Sequence, residues 1–396
     1  MNTLLVEPDY YTKYPPLGLL KLASFHRSQG DQIFYVRGIN NEIDEKIRRI
    51  EVTSLFTFAW KPVHEAIEFY HKMFPEAEIT VGGIYATLMP DHIQKAFPFV
   101  KVFKGLHQKA EEYLPAYDIL KSVDKWKDWK KSIVFTTRGC IRKCPFCVVP
   151  KIEGGMKEPK FSILPLIHPD HNEVVIWDNN FLASPYAKQI LMELRDGGYR
   201  ADFNQGLDAR LMTEEFAGLL ADIKSPSIHM AYDWPWEGPY ILKAINLLAD
   251  AGYRKKNLIF YVLHNFYDFK YQKGDTPEDF FHRIRDLMEW GASAYPMRFI
   301  PLDSLTRNGF VSPLWTAEQL EMIADARRVL GYGGTFVPHK GLVEKILSSR
   351  NFEEAMELRP KQNKRAAERM KGKAVVESAS ISAQYTLSAA SLSNLK

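Results

Sequence analysis

All three cysteines of this chain fall between positions 140 and 147. Cys140, Cys144 and Cys147 follow a C-x3-C-x2-C spacing, directly after the apolar, β-type run 132–135. Soft thiolates at such short spacings select zinc, copper(I) or an iron–sulfur cluster. A structural zinc site is normally closed by four ligands, and the chain has no fourth cysteine. The nearest histidine, His168, is not at a ligand-like spacing. Three cysteines on one loop suit a [4Fe–4S] cluster with one iron left open to an exogenous ligand. The competing expectation is a non-catalytic, knuckle-like zinc loop in a nucleic-acid-interacting protein.

The triad, its preceding strand and Phe146 just before the last cysteine resemble the radical S-adenosylmethionine (radical SAM) superfamily. That resemblance implies a [4Fe–4S] cluster whose open iron chelates the amino and carboxylate groups of SAM, with Phe146 beside the adenine. It implies reductive cleavage of SAM to start hydrogen abstraction or methyl transfer, with the electron coming from a flavodoxin- or ferredoxin-type reductant. The absence of any further cysteine argues against methylthiotransferases with a second cluster, RNA methyltransferases with a methyl-carrying cysteine, and maturases with auxiliary clusters.

The elements that would position the triad alternate as strand and helix. Candidate strands are 133–137, 174–178, 202–206, 227–232, 257–263 and 294–301, with helices over 185–196, 214–221, 238–251 and 277–290. Ser184-Pro185, Thr213 and Thr276-Pro277 read as helix starts, while Gly197-Gly198, Gly252 and Gly291 read as stops. Six such units fit a partial (β/α)6 barrel over 130–303, the fold that the resemblance implies. Barrel chemistry sits at the carboxyl ends of the strands. Those ends carry unusual polarity, and its recurrence points to one shared pocket. Asp178 and Asn179, within Trp177-Asp178-Asn179-Asn180-Phe181, stand where the superfamily receives the SAM amino group. Asn204, Gln205 and Asp208 are candidates for the ribose hydroxyls and the methionyl end, and Arg210 for a fork onto its carboxylate. Tyr232 and His264 are candidate proton donors or radical quenchers; Asp233, Asn265, Arg298 and Asp303 complete the polar rim.

Ahead of the barrel, strands at 3–6, 32–36, 52–58 and 78–81 alternate with helices at 17–27 and 64–73. This predicts an open, Rossmann-like parallel sheet over 1–120 and an α/β protein throughout. Pro15-Pro16-Leu17-Gly18-Leu19-Leu20 and Val81-Gly82-Gly83-Ile84-Tyr85-Ala86-Thr87 are similar to the cobalamin-binding-type domain that precedes many radical SAM barrels. The D-x-H-x-x-G signature that supplies a histidine to cobalt is absent. Cobalamin in a glycine-lined site, or glycines serving only tight turns, both remain open.

With 46% hydrophobic and 25% charged residues among 396, the composition is that of a globular protein with room for two domains. No apolar run is long enough for a membrane span, and the first residues lack a leader pattern. No disulfide framework is available, so a reducing cytoplasm is the expected compartment. A net charge of +4 does not by itself argue for nucleic acid. After 303 a helical region is expected, beginning with the cap Thr316-Ala317-Glu318-Gln319. Seven basic residues against one acidic over 359–373 could neutralise phosphates or form a solvated helix face. The Ser- and Ala-rich stretch 374–396 reads as a mobile tail.

Overall fold

Five parallel strands open the chain: β1 (Asn2–Glu7), β2 (Gln32–Arg37), β3 (Arg49–Ser54), β4 (Glu78–Gly83) and β5 (Lys101–Val102), in spatial order β2-β1-β3-β4-β5. The computed structural model describes residues 1–223 and 225–358; the basic segment 359–373 and the tail expected over 374–396 lie outside the described residues. β1 is apolar without alternation because both of its faces are covered. Leu4 and Val6 pack with Val63, Ile67 and Tyr70 of α2 (Trp60–Met73), whereas Leu5 packs with Leu19, Leu20 and Ala23 of α1 (Leu17–Ser28). The third strand is displaced from its expected bounds. It ends at Ser54, and Thr57–Ala59 form a turn of 3-10 helix leading into α2. Phe56 and Phe58, which read as strand residues, instead stack on each other with centroids 4.9 Å apart.

Six further parallel strands follow: β6 (Lys131–Val134), β7 (Glu173–Ile176), β8 (Arg200–Asp202), β9 (Ile228–Ala231), β10 (Leu258–His264) and β11 (Ser293–Arg298). They form two three-stranded sheets, β6-β7-β8 and β9-β10-β11. A parallel bridge between Leu207 and Met230 joins them, with the Leu207 N–H donating to the His229 carbonyl at 2.7 Å. The outer face packs on α3 (Ala187–Asp196), α4 (Glu214–Asp222), α5 (Gly238–Asp250) and α6 (Pro277–Trp290) in the largest core of the molecule. The inner face receives the start of α1: Leu17 packs with Ile133 and Val175, flanked by Tyr14, Trp129, Phe135 and Trp177.

Local sequence explains most of the helix ends. Thr213 and Thr276 each accept an N–H three residues on, and Gly291 closes α6 in the left-handed conformation at φ 78°. Ser184 does not cap α3 as its sequence suggests. Its hydroxyl accepts the Tyr186 N–H in a short turn, and the helix starts at Ala187. After β11 the chain crosses back to the N-terminal domain, where Thr57 and Trp60 donate to the carbonyls of Ser304 and Leu305. It then forms α7 (Ala317–Leu330), with the capping box Thr316–Gln319, and two short helices that insert Ile346 and Phe352 into the core.

Candidate functional site

The cysteine loop leaves the carboxyl end of β6 and is held from below by the segment that follows it. The Cys140 N–H donates to the Gly154 carbonyl at 3.2 Å, and the Lys157 N–H to the Arg138 carbonyl at 2.8 Å. Gly139 is required here. Its φ is +75°, and a Cβ on it would stand 2.1 Å from the Gly155 carbonyl oxygen. Glu153, largely buried, accepts the Gly139 N–H at 2.8 Å and the Asn179 side-chain N–H at 2.7 Å, and pairs with Arg138 at 3.2 Å.

The three sulfurs are partly exposed and unpaired. Their hydrogen bonding is unequal. Cys140 accepts from the Arg142 N–H at 3.3 Å and from Asn180 Nδ2 at 3.7 Å; Cys147 accepts from the Val149 N–H at 3.5 Å. Burial pushes the Cys144 thiol up to about 11, with Asp233 and Cys147 adding to the rise and Arg210 opposing it. Cys147 is raised by burial too. Bare thiols at Cys144 and Cys147 resist ionisation, so thiolate ligation there needs the positive charge that a metal centre brings. Among the described residues, no three His, Cys, Asp or Glu side chains converge on a single metal ion.

The sequence candidates separate into those the fold brings to this loop and those it does not. Asp208 is the hub: its carboxylate accepts from Arg210 at 2.7 Å, Arg142 at 2.9 Å and Asn180 at 3.2 Å. Those cations hold its carboxyl below the usual range despite its burial. Arg210 extends the network to Glu237 at 3.3 Å. Phe146 packs edge-on against Phe266, with centroids 5.5 Å apart, and lies 6.3 Å from Trp234. Asp178 is 2% exposed and turns towards the strand end rather than the sulfurs. It accepts the Thr136 N–H at 2.6 Å and the Thr136 hydroxyl, and burial raises its carboxyl to about 7. The geometry gives it the task of fixing the point where the cysteine loop begins. Asn179 is spent on Glu153. Asn204 points to the inner face, donating to the Tyr14 hydroxyl at 2.6 Å, and Gln205 is exposed beside it.

Tyr232 and His264 face the helices, which corrects the expectation that they act at the strand ends. The Tyr232 hydroxyl donates to Asp286 of α6 at 2.8 Å. His264 packs on Phe280 and Trp315, 2% exposed, with burial pushing it down to about 3. The cause is strand parity: His264 shares the side of Phe260 and Val262, both in the outer core, whereas Tyr261 lies on the inner side. There the Tyr261 ring stacks on His229 at 5.6 Å. Of the remaining rim residues, Arg298 donates to the carbonyls of Asn308 and Phe310, and Asn265 holds the same strap through Ser312 and Phe310. Glu153, Arg142 and Glu237 were missed in the sequence. The pair Gly154-Gly155 was the available sign that the chain returns close beneath Gly139.

Asn180 has an unfilled function. It is 3% exposed, its Nδ2 faces Cys140 and Asp208, and its Oδ1 is buried without a partner. An acceptor in that position suits a cationic donor beside the cysteine loop.

A second site lies at the carboxyl end of the N-terminal sheet. A cavity of about 280 Å³ is lined by Gly18, Lys21, Thr53, Gly82, His107 and Glu111, among others. A Cβ on Gly18 would meet open space. Gly83 has a different task, since a Cβ there would lie 2.1 Å from the Ser54 carbonyl oxygen. Of the two explanations for these glycines, tight packing therefore applies to Gly83 and an open cavity wall to Gly18. The two sites are joined by charge. Lys21 pairs with Glu111 at 3.1 Å, and Glu111 with Arg138 of the cysteine loop at 2.7 Å.

The chain is similar in structure to the radical S-adenosylmethionine methyltransferase TsrM from Kitasatospora setae, solved with cobalamin and a [4Fe-4S] cluster bound. The TM-score is 0.56 at 14% identity, covering 76% of this chain and 77% of that one. A cobalamin-dependent S-adenosylmethionine radical enzyme, OxsB, solved with aqua-cobalamin bound, aligns with a TM-score of 0.40 at 16% identity; the alignment covers 77% of this chain and 51% of that one. No family model matches the chain, and no curated protein matches it in sequence. The likeness to TsrM establishes the fold: a parallel α/β domain followed by a six-stranded parallel arc with outer helices.

Proposed function

We propose that this protein is a radical SAM enzyme with a corrinoid-binding N-terminal domain. A [4Fe–4S] cluster on Cys140, Cys144 and Cys147 would supply the electron that splits S-adenosylmethionine, starting hydrogen abstraction or methyl transfer on the substrate. One observation carries the reading. The only three cysteines of the chain sit on one strand-end loop, on the scaffold shared with TsrM, beside a buried acceptor that has no partner.

The chain's own residues then divide the work. Asn180 Oδ1 is placed to accept from the ammonium of the methionyl group. Arg210, neutralised by Asp208 and Glu237, offers its remaining donors to the carboxylate. Phe146, Phe266 and Trp234 form an apolar wall against the adenine and exclude water. Glu153 and Asp178 hold the loop between them. The Gly18-lined cavity would take the nucleotide-like tail of a corrinoid. The electron enters from an external reductant of flavodoxin or ferredoxin type. A zinc module is the weaker reading, because a structural zinc site is normally closed by four ligands and the chain has three cysteines.

Anaerobic reconstitution with iron and sulfide tests the assignment. The expected product is brown, bleaches with dithionite and releases methionine from SAM. Cys144→Ala is expected to lose iron and SAM cleavage while keeping its helical circular dichroism. Colourless wild-type protein carrying stoichiometric zinc would overturn it.

A further inference from the structure

We infer that Asn180 sets the reduction potential of the cluster through its hydrogen bond to Cys140, and is therefore a positioning residue for electron entry. The inference rests on the cluster reading above but concerns a residue that the cysteine pattern does not select. Its basis is the asymmetry among the three sulfurs. Cys140 accepts two hydrogen bonds and Cys147 one; the Cys144 sulfur accepts none among the described residues.

The donor on Cys140 is locked in orientation. An amide can be turned over, exchanging its oxygen and nitrogen. In the reversed setting Asn180 Oδ1 would face the Asp208 carboxylate and a thiolate, three acceptors with no proton between them. The observed setting gives Asp208 Oδ2 a donor at 3.2 Å and the sulfur a donor at 3.7 Å. Asp208 is itself anchored by Arg142, whose backbone N–H makes the second bond to the same sulfur. Cys140, Arg142, Asp208 and Asn180 thus close a ring, and the side chain cannot turn away without breaking two contacts at a buried site.

An N–H aimed at a cluster sulfur stabilises the extra negative charge of the reduced state, which raises the potential. Burial strengthens the effect by removing competing water. Cys140 is then the ligand on which added charge is best tolerated.

The test is an EPR-monitored redox titration of reconstituted wild-type and Asn180→Ala proteins. At equal iron and sulfide content, the variant is expected to be about tenfold harder to reduce, a shift of about 59 mV to more negative potential for one electron. Asn179→Ala, which removes a neighbouring amide that bonds to Glu153 and to no sulfur, is the control expected to leave the potential in place. Because Asn180→Ala could fail to retain its cluster, a second measurement uses wild-type protein labelled with 15N-asparagine. Pulsed EPR on its reduced cluster is expected to show a weakly coupled side-chain nitrogen. A full cluster with unmoved potential, or no nitrogen coupling in the labelled protein, overturns this inference alone. Wild-type protein that takes up no iron overturns the cluster reading with it.

Discussion

At the carboxyl edge of the N-terminal sheet, Gly18, Gly82, Gly83 and Gly105 help leave a cavity of about 280 Å³ beside the Lys21–Glu111 ion pair. At the corresponding edge of the six-stranded arc nearly every polar group is already committed, through Asp208, Arg142, Arg210, Glu237 and Glu153. Both edges lie where parallel sheets present their ligands. They are built in opposite senses, one by omitting side chains so that a bulky group can enter, the other by cross-bracing side chains around three thiols. The Lys21–Glu111–Arg138–Glu153 chain of ion pairs spans the two.

Cutting that bridge is the strongest perturbation. Arg138 neutralises Glu111 and Glu153 at once and also covers the Phe135 ring, 3.4 Å from its centroid. Its side chain is 17% exposed, so Arg138→Met leaves the shielded Glu153 without its cation and Glu111 with Lys21 alone. The expected cost is about 3 kcal/mol, read by urea denaturation, with iron retention falling in parallel. Undiminished stability would mean that the two edges are independent.

Filling the cavity separates the edges in the other direction. Gly18→Leu places a branched side chain where a Cβ meets open space, near the start of a helix that prefers Leu to Gly by up to about 1 kcal/mol. The fold and the iron content should hold, while retention of hydroxocobalamin weakens about a hundredfold, equivalent to about 2.7 kcal/mol. Equal retention by the variant would move the corrinoid site elsewhere.

The same contrast explains what the sequence disclosed. The order of strands and helices was legible because Leu4-Leu5-Val6 and its counterparts are continuous apolar runs between clear helix caps. The cysteine loop was legible because its ligand types are rare and adjacent. The side on which a strand-end residue falls was not legible. Tyr232 and His264 read as pocket residues, yet one residue of register sends both to the helices. Nor could composition show that Asp178 is absorbed by Thr136 while Asn180, two positions on, keeps a free acceptor. Those assignments depend on contacts between residues remote in sequence, Thr136 with Asp178 and Asn180 with Cys140 and Asp208.

The arc should also be the more pH-sensitive region, and Asp275 isolates that effect away from the thiols. It is buried, accepts the Phe266 N–H at 2.6 Å and lies 3.5 Å from Arg283. Burial raises its carboxyl to about 7 from an ordinary 3.8, although Arg283 opposes the rise. Between those values the folded state holds a proton that the unfolded chain has released. The stabilisation is complete below about pH 4 and is lost as pH climbs to about 7. One such group changes stability by at most about 1.4 kcal/mol per pH unit. Asp275→Asn, which keeps an acceptor for Phe266 but cannot ionise, is expected to flatten the stability curve by up to that slope between pH 4 and 7. Chemical denaturation at several pH values reads the difference. An unchanged slope would mean that Arg283 holds Asp275 ionised throughout, and the loss of stability of the arc with rising pH would then fall to Asp178 and Asp233, whose carboxyls burial also raises to about 7.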